Sequence, residues 1–133
     1  MITALDSSVL LDVIFDDPRF AAQSMAAISR ARDQGQLILC EAVIVEVMPT
    51  LPGKGTFDRF LSDLGADFVP ISEAASKLAG DYFSKYLQNG GKRGRVAADF
   101  LIGGHAKHHA DRLLTRDDGF YRNLFRGLKI TAP

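Results

Sequence analysis

Short apolar runs alternate with helical segments along this 133-residue chain, and this alternation restricts its fold more than any other feature. An apolar run bounded by turn-forming residues is typical of a buried strand. Strands are expected at residues 2–5, 36–40, 66–71, 111–115 and 128–131, the last at a sheet edge. Because strands separated by helices pair in parallel through right-handed crossovers, we expect an α/β sandwich with a central, mostly parallel sheet of about five strands flanked by helices.

Residues that begin and end helices separate the expected strands. The expected helices cover residues 9–17, 19–33, 42–48, 56–64, 73–90 and 96–110. Ser7 or Ser8 is expected to cap the first helix, and Ser72 the fifth, because a serine hydroxyl accepts a hydrogen bond from a free backbone N–H group. Pro18 suits the first position of the second helix, which Gly35 is expected to end.

Length and composition are typical of one globular domain spanning residues 1–133. Basic and acidic residues number 16 each, so the overall charge gives no indication of nucleic-acid binding. The single cysteine, Cys40, excludes an internal disulfide and fits a reducing compartment, where a packed thiol is expected. The start of the chain carries Asp6 and Asp12 rather than the basic residues of a signal peptide, and no apolar run reaches the roughly 18 residues of a membrane span. We therefore expect a cytoplasmic protein.

Four carboxylates interrupt apolar stretches of the chain: Asp6, Glu46, Asp99 and Asp117. A buried carboxylate costs several kcal/mol unless it is paired, hydrogen-bonded or bound to a cation. Asp6 and Asp117 follow expected strands, and Glu46 lies on the helix that leaves the second strand. Asp99 shares a helical face with Ile102 and should point inward. Ligands of parallel sheets bind at the carboxyl ends of the strands, so we expect all four acids to meet at one edge.

This set of ligands predicts a hard divalent cation. Carboxylate oxygens without cysteine or histidine partners favour Mg²⁺ or Mn²⁺ over zinc. Such an ion activates a water molecule and stabilises the charge on a phosphodiester during its cleavage. Ser8 and Thr115 are placed to orient the carboxylates from behind.

Structural explanations remain open for several acids. Asp6 could be a helix N-cap, and Asp117 could be an ordinary turn residue. Buried ion pairing is the alternative for the two acids within helices. Asp118 either joins the site or caps the helix that follows it. Asp12 and Asp16 are expected to face solvent.

At these residues the chain resembles the PIN-domain family, and more narrowly its VapC-type toxin ribonucleases of toxin–antitoxin pairs. The resemblance covers almost the whole chain. It rests on LDSSVLLD at the start, the segment around Glu46, RVAADFLIGGHA in the middle and LLTRDDGFY near the end. The order of these motifs and their strand–helix context make the resemblance specific.

The resemblance implies a PIN-like three-layer sandwich and a metal-dependent endoribonuclease. Asp6, Glu46, Asp99 and Asp117 are carried over as the acidic cluster, Thr115 as the family's hydroxyl residue and Asp118 as an occasional extra acid. Ser8 departs from the family's usual asparagine, although serine can still donate to Asp6. Asp6, Asp99 and Asp117 would hold the metal most directly, whereas Glu46 would ligate through water or help to deprotonate it. The family further implies a homodimer and inhibition by a small antitoxin that inserts side chains, often an arginine, near the acids.

Other polar and aromatic groups allow more than one interpretation. The loop at residues 90–95 carries Lys92, Arg93 and Arg95, which contact RNA phosphates or form a solvated loop. Arg116 balances the acids, contacts RNA or lies on the surface. The aromatic groups Tyr82, Phe83 and Tyr86 are expected in the core or a dimer interface rather than as a base-stacking platform. The spacing of His105, His108 and His109 suggests a metal site but lacks a zinc pattern.

Two other functions compete with the enzyme. The chain could be a catalytically silent PIN-like module whose acidic pocket binds RNA or an antitoxin arginine without cleavage. A phospho-acceptor receiver domain is also α/β, but it needs an acid pair after the first strand, whereas two serines follow Asp6.

Overall fold

A computed structural model of the chain describes residues 1–92 and 97–133. Five strands form one sheet in the order β3-β2-β1-β4-β5. The strands are β1 Ile2–Leu5, β2 Gln36–Leu39, β3 Ala66–Phe68, β4 Arg112–Leu114 and β5 Ile130–Thr131. Every neighbouring pair is parallel, so the predicted α/β architecture is confirmed and the sheet is parallel throughout.

Seven α-helices flank the sheet within the described residues. They are α1 Ser7–Ile14, α2 Ala21–Gln34, α3 Glu41–Val47, α4 Thr56–Leu64, α5 Glu73–Gln88, α6 Ala97–His109 and α7 Asp118–Leu124, with a 3₁₀ turn at Met48–Thr50. None of these helices is long and apolar enough to cross a membrane. The predicted loop at residues 90–95 lies only partly within the described residues, and the predicted first residue of α6, Val96, lies outside them.

Two helix starts differ from the predictions. The cap of α1 is Asp6 rather than Ser7 or Ser8, since the Asp6 carboxylate accepts a hydrogen bond from the Ser7 backbone N–H at 2.9 Å. The second helix begins at Ala21, three residues beyond Pro18. A turn at residues 18–20 precedes it, in which the Asp17 carboxylate accepts from the backbone N–H groups of Arg19 and Phe20. Carboxylates that bond the free N–H groups at the start of a helix in this way act as caps.

Other boundaries follow the predictions more closely. Ser72 caps α5 as expected, because its hydroxyl accepts from the Ala75 backbone N–H at 3.1 Å. The third strand ends at Phe68 rather than at residue 71. Val69 still donates to the Leu39 carbonyl at 3.0 Å, but Pro70 has no N–H group to continue the ladder.

Small residues on α6 let the helices pack closely behind the sheet. A side chain at Gly103 would meet the Phe125 ring at 2.4 Å, and one at Gly104 would meet the Ala75 carbonyl oxygen at 2.8 Å. The Phe125 ring centroid lies 5.6 Å from that of Phe100. The three aromatics predicted for the core or a dimer interface, Tyr82, Phe83 and Tyr86, are half-buried against this core.

Histidines on α6 make structural contacts. The buried His105 ring forms a 2.8 Å hydrogen bond through Nε2 with the Val69 carbonyl, and His109 Nε2 accepts from the Ser72 backbone N–H at 3.1 Å. Burial lowers the pKa of His105, and the neighbouring His109 lowers it further. His105 is therefore a neutral donor that ties α6 to the end of β3.

Replacing His105 should change how stability depends on pH. Since the folded pKa lies below the ordinary 6.5, the unfolded chain takes up a proton first, and stability is lost as the pH falls below that value. The variant His105→Gln removes this titration and keeps an amide donor for Val69. Urea unfolding at about pH 7.5 and pH 5.5 should therefore show a smaller loss of stability for the variant than for the wild type. The exposed His108→Gln serves as control, and an unchanged pH dependence in His105→Gln would contradict this role.

Candidate active site at the carboxyl edge of the sheet

The centre of the site is the carboxylate of Asp6, which follows β1 and is 5% exposed. One oxygen, Oδ2, accepts hydrogen bonds from the hydroxyl groups of Ser8 at 2.8 Å and Thr115 at 2.7 Å. The other, Oδ1, accepts from the Ser7 backbone N–H and, at 3.4 Å, from the Tyr121 hydroxyl. The predicted support of Asp6 by Ser8 and Thr115 is therefore present, and Asp6 is a helix cap as well.

These hydrogen bonds do not fully compensate the burial of the Asp6 charge. Burial raises the pKa of Asp6, hydrogen bonds from Thr115, Ser8 and Ser7 lower it, and the negative charge of Glu46 raises it again, with a net increase. Because folding makes this carboxylate harder to ionise, a cation bound beside it would stabilise its charged form.

Glu46 is joined to Asp6 through Ser7. The Ser7 hydroxyl donates to Glu46 Oε1 at 2.7 Å, while the backbone N–H of the same residue donates to Asp6. Because Ser7 is the first residue of α1 and Glu46 lies on α3, this serine fixes the two helices relative to each other at the site. Ser7 was predicted only as a possible helix cap, and the spacing of residues in the sequence gives no sign of its contact with Glu46.

The four predicted acids surround one cavity of about 230 Å³. Its lining residues are Asp6, Ser7, Ser8, Leu11, Glu46, Asp99, Arg116 and Asp117. Asp99 is half-buried in the first turn of α6. Asp117 occupies the N-cap position of α7, but among the described residues its carboxylate makes no capping hydrogen bond. The acids thus come from four separate segments and converge at the carboxyl edge of the sheet.

The acids do not form a preassembled metal cage. Among the residues described, no three aspartate, glutamate, histidine or cysteine side chains are close enough together to hold an ion as they stand. The four side chains nevertheless fit a divalent cation, because their donor atoms are oxygens and because they bring several negative charges together. All four are carboxylates, which suit Mg²⁺ or Mn²⁺.

Tyr121 belongs to the site and was missed in the sequence. Its side chain is 1% exposed, and its hydroxyl lies 3.4 Å from Asp6. The pKa of this hydroxyl is raised far above its usual range, first by burial and then by the negative charges of all four acids. The negative charges of all four acids therefore act on the Tyr121 hydroxyl. The only signal in the sequence was the position of Tyr121 one helical turn after Asp117.

Asp12 is buried, so the prediction that it faces solvent is wrong. Its carboxylate is 3% exposed and accepts from the Ser24 hydroxyl at 2.8 Å. Arg116 binds the same carboxylate with two nitrogens, Nε at 2.9 Å and Nη2 at 2.8 Å. Because two separated segments supply this pair, the sequence could not distinguish Asp12 from the exposed Asp16.

The pair fixes the turn that carries Asp117. The Arg116 guanidinium lies 4.3 Å from the centre of the Phe20 ring, and the Arg116 backbone N–H donates to the Ser8 hydroxyl at 3.1 Å. The next backbone N–H, that of Asp117, donates to the Thr115 hydroxyl at 2.9 Å. Arg116 therefore both balances charge beside the acids and holds the turn after β4 against α1 and α2.

The other predicted site residues lie elsewhere or cannot be placed. The Asp118 carboxylate pairs with Arg122, 3.3 Å away and one turn along α7, and is absent from the described lining of the cavity. Lys92 is exposed, whereas Arg93 and Arg95 lie outside the described residues.

The family profile described as the PIN domain matches residues 3–123. The chain belongs to the PIN-domain family, as its motifs predicted. No significant match to its sequence was found among curated proteins.

Structures of VapBC complexes and of FitAcB have the same fold. A chain of VapBC2 from Rickettsia felis, determined with a DNA fragment from the promoter, matches with a TM-score of 0.78 and 18% identity over 100% of this chain and 99% of that chain. A chain of VapBC-1 from nontypeable Haemophilus influenzae gives 0.71 and 15% identity, covering 99% and 98%. FitAcB from Neisseria gonorrhoeae gives 0.66 and 20% identity, covering 98% and 96%. At these identities the matches establish the fold alone.

Removing the Asp12 carboxylate should destabilise the protein. The variant Asp12→Ala loses the hydrogen bonds to Ser24 and Arg116, and since the guanidinium is 40% exposed and can rehydrate, we expect a loss of about 2 kcal/mol in the free energy of unfolding. Asp118→Ala removes an aspartate–arginine pair on the surface and should cost less than about 0.5 kcal/mol. Urea unfolding of both variants measures the difference, and equal losses would contradict the structural role of Asp12.

Proposed function

We propose that this chain is a metal-dependent endoribonuclease, and more narrowly the toxin of a type II toxin–antitoxin pair. In this proposal residues 1–133 act as one PIN-like domain in the cytoplasm. The observation that carries the proposal is the convergence of four carboxylates from four segments on one cavity, with Asp6 buried at its centre.

The proposed cofactor is Mg²⁺ or Mn²⁺, held by Asp6, Asp99 and Asp117. When bound, such a cation lowers the pKa of a ligated water and neutralises charge on the phosphodiester. Burial is the main cause of the raised pKa values of Asp6 and Tyr121, and the negative charges of the neighbouring acids add to it, which supports a cationic occupant of the cavity.

The remaining polar groups orient the acids or receive a proton. Glu46 is exposed at the rim, and its Oε1 is held by the Ser7 hydroxyl, so its other oxygen can take a proton from the attacking water or bind a ligated water. Ser8 and Thr115 both donate to Asp6 Oδ2, which keeps that carboxylate in one orientation. Tyr121 excludes water behind Asp6 because its side chain is fully buried.

Basic groups are proposed to position the RNA backbone. Arg116 lines the cavity and is oriented by Asp12, which leaves guanidinium hydrogens for a phosphate. Lys92, Arg93 and Arg95 are proposed to contact phosphates further along the strand, as their clustering in the sequence suggests. Hydrolysis with the water attacking phosphorus and the 3′ oxygen leaving would give a 5′-phosphate and a 3′-hydroxyl.

The proposed protein partners are a second copy of the chain and a cognate antitoxin. The structures with the same fold are named as VapBC and FitAB complexes, and one of them contains promoter DNA. By analogy, an antitoxin side chain would reach the acid cavity and block it. A catalytically silent module would also bind such a partner, so only a test of cleavage separates the two functions.

Cleavage of RNA should require both a divalent cation and Asp6. Purified chain, free of antitoxin, should cleave single-stranded RNA with Mg²⁺ or Mn²⁺ and stop when EDTA is added. Asp6→Asn removes the central charge and should lower the rate at least about 100-fold, whereas the exposed surface variant Asp58→Asn should keep it.

The measurement is the rate of product formation on a labelled oligonucleotide, with thermal unfolding of each variant to confirm the fold. If the folded, antitoxin-free wild type cleaves no RNA with either metal, the chain is a binding module. Equal rates for Asp6→Asn and the wild type would show that the activity belongs to a contaminant.

A further inference from the structure

A second cavity, of about 380 Å³, lies between the C-terminal half of α5 and the end of α7. It shares no lining residue with the acid cavity. Its described lining is Tyr82, Lys85, Tyr86, Asn89, Asn123, Leu124 and Arg126. Two tyrosines, two amides and two cations therefore converge on a cleft large enough for a nucleotide, and no described acid lines it.

The two cations give this cavity a local positive charge. Lys85 and Arg126 are exposed, and neither forms an ion pair with another described residue. The Lys85 ammonium lies 5.7 Å from the centre of the Tyr82 ring, at the margin of the cleft. Lys107 adds a third cation nearby, because its ammonium donates to the Arg126 carbonyl at 3.1 Å. In a chain with no net charge, this grouping favours an anion at this place.

The two tyrosines are held in place before any ligand binds. The Tyr82 ring centroid lies 4.5 Å from that of Phe125, and the Tyr86 centroid lies 5.4 Å from that of Phe100. Gly91 lies beside the Tyr86 ring, where a side chain would meet the ring at 2.4 Å. Rings fixed in this way lose little entropy when a base stacks on them.

We propose that this cavity binds one nucleotide of single-stranded RNA and so forms an exosite for the proposed ribonuclease. A base stacks on a tyrosine ring, the amides of Asn89 and Asn123 pair with base edges, and Lys85 and Arg126 contact phosphates. An acidic peptide would use the two cations but would leave the fixed rings and amides without a matching group.

One aromatic cluster connects the exosite to the acid cavity. Phe100 contacts Tyr86 and lies 5.7 Å from Phe120, measured between ring centroids. Phe100 directly follows Asp99 on α6, and Phe120 directly precedes Tyr121 on α7. The floor of the exosite is thus packed, through the buried Phe100, against α6, which carries Asp99, and against α7, which follows Asp117.

Binding of a labelled single-stranded RNA, followed by fluorescence anisotropy in EDTA, tests the exosite. The double variant Lys85→Ala/Arg126→Ala should bind about tenfold more weakly, and the slope of log Kd against log salt should fall by about 1.4, the value for two lost phosphate contacts on a single strand. Tyr86→Leu should weaken binding about fivefold or more with the salt slope unchanged, because stacking carries no charge.

The matched control is Lys54→Ala/Arg59→Ala, two exposed cations, one just before α4 and one on it, at the β3 edge of the sheet. It makes the same change in charge and should leave both the affinity and the salt slope near the wild-type values. The exosite is refuted if this control weakens binding as much as the cavity variant does, or if the cavity variant binds like the wild type. An effect of the cations with none from Tyr86→Leu overturns the nucleotide assignment in favour of a general anion site.

The exosite rests on the proposed ribonuclease function, but the two fail separately. EDTA prevents metal-dependent cleavage, so the anisotropy reports binding alone. If the chain binds RNA through Lys85, Arg126 and Tyr86 but never cleaves it, the proposed ribonuclease activity is contradicted and the exosite stands. If the chain cleaves RNA but its affinity for RNA does not depend on these three residues, the exosite is contradicted and the ribonuclease activity stands.

Discussion

The Asp6 carboxylate is the group on which the rest of the site depends. It stands where β1 ends and α1 begins, so it has a structural role as a helix cap at the position where a parallel sheet binds its ligands. Hydroxyl groups of Ser8 and Thr115 hold one of its oxygens, and yet burial keeps its pKa raised. Folding therefore places a costly charge at the sheet edge. A cost of this kind is typical of a functional site, where a ligand supplies the compensation.

The surrounding network keeps the other acids in reach of Asp6. Ser7 joins α1 to α3 through Glu46, and the Asp12–Arg116 pair joins α1 and α2 to the turn after β4. Both connections use side chains that line the acid cavity or lie directly behind it. The packing of the helices and the geometry of the site thus rest on the same few polar contacts, so that loosening one should disturb the other.

The sequence predicted the sheet and the four acids because both depend on local patterns. Apolar runs mark parallel strands, and Asp6 and Asp117, which follow such runs, must lie near the sheet edge whatever the details of packing. Glu46 and Asp99 were assigned from their positions on apolar helices. Contacts between distant segments have no such pattern. Asp12 and Asp16 look alike in sequence, and only the approach of Arg116, 104 residues away, buries one of them. Tyr121 was missed for the same reason, since an aromatic residue on a short helix usually serves the core.

The central claim is that the four carboxylates form one divalent-cation site, and calorimetric titration of the metal-free protein with Mn²⁺ tests it most directly. The account predicts saturable binding by the wild type and at least about tenfold weaker binding by Asp6→Asn and by Asp99→Asn. The surface variant Asp58→Asn should bind like the wild type. Absence of Mn²⁺ binding by the folded wild type, or equal binding by Asp6→Asn, would contradict the account.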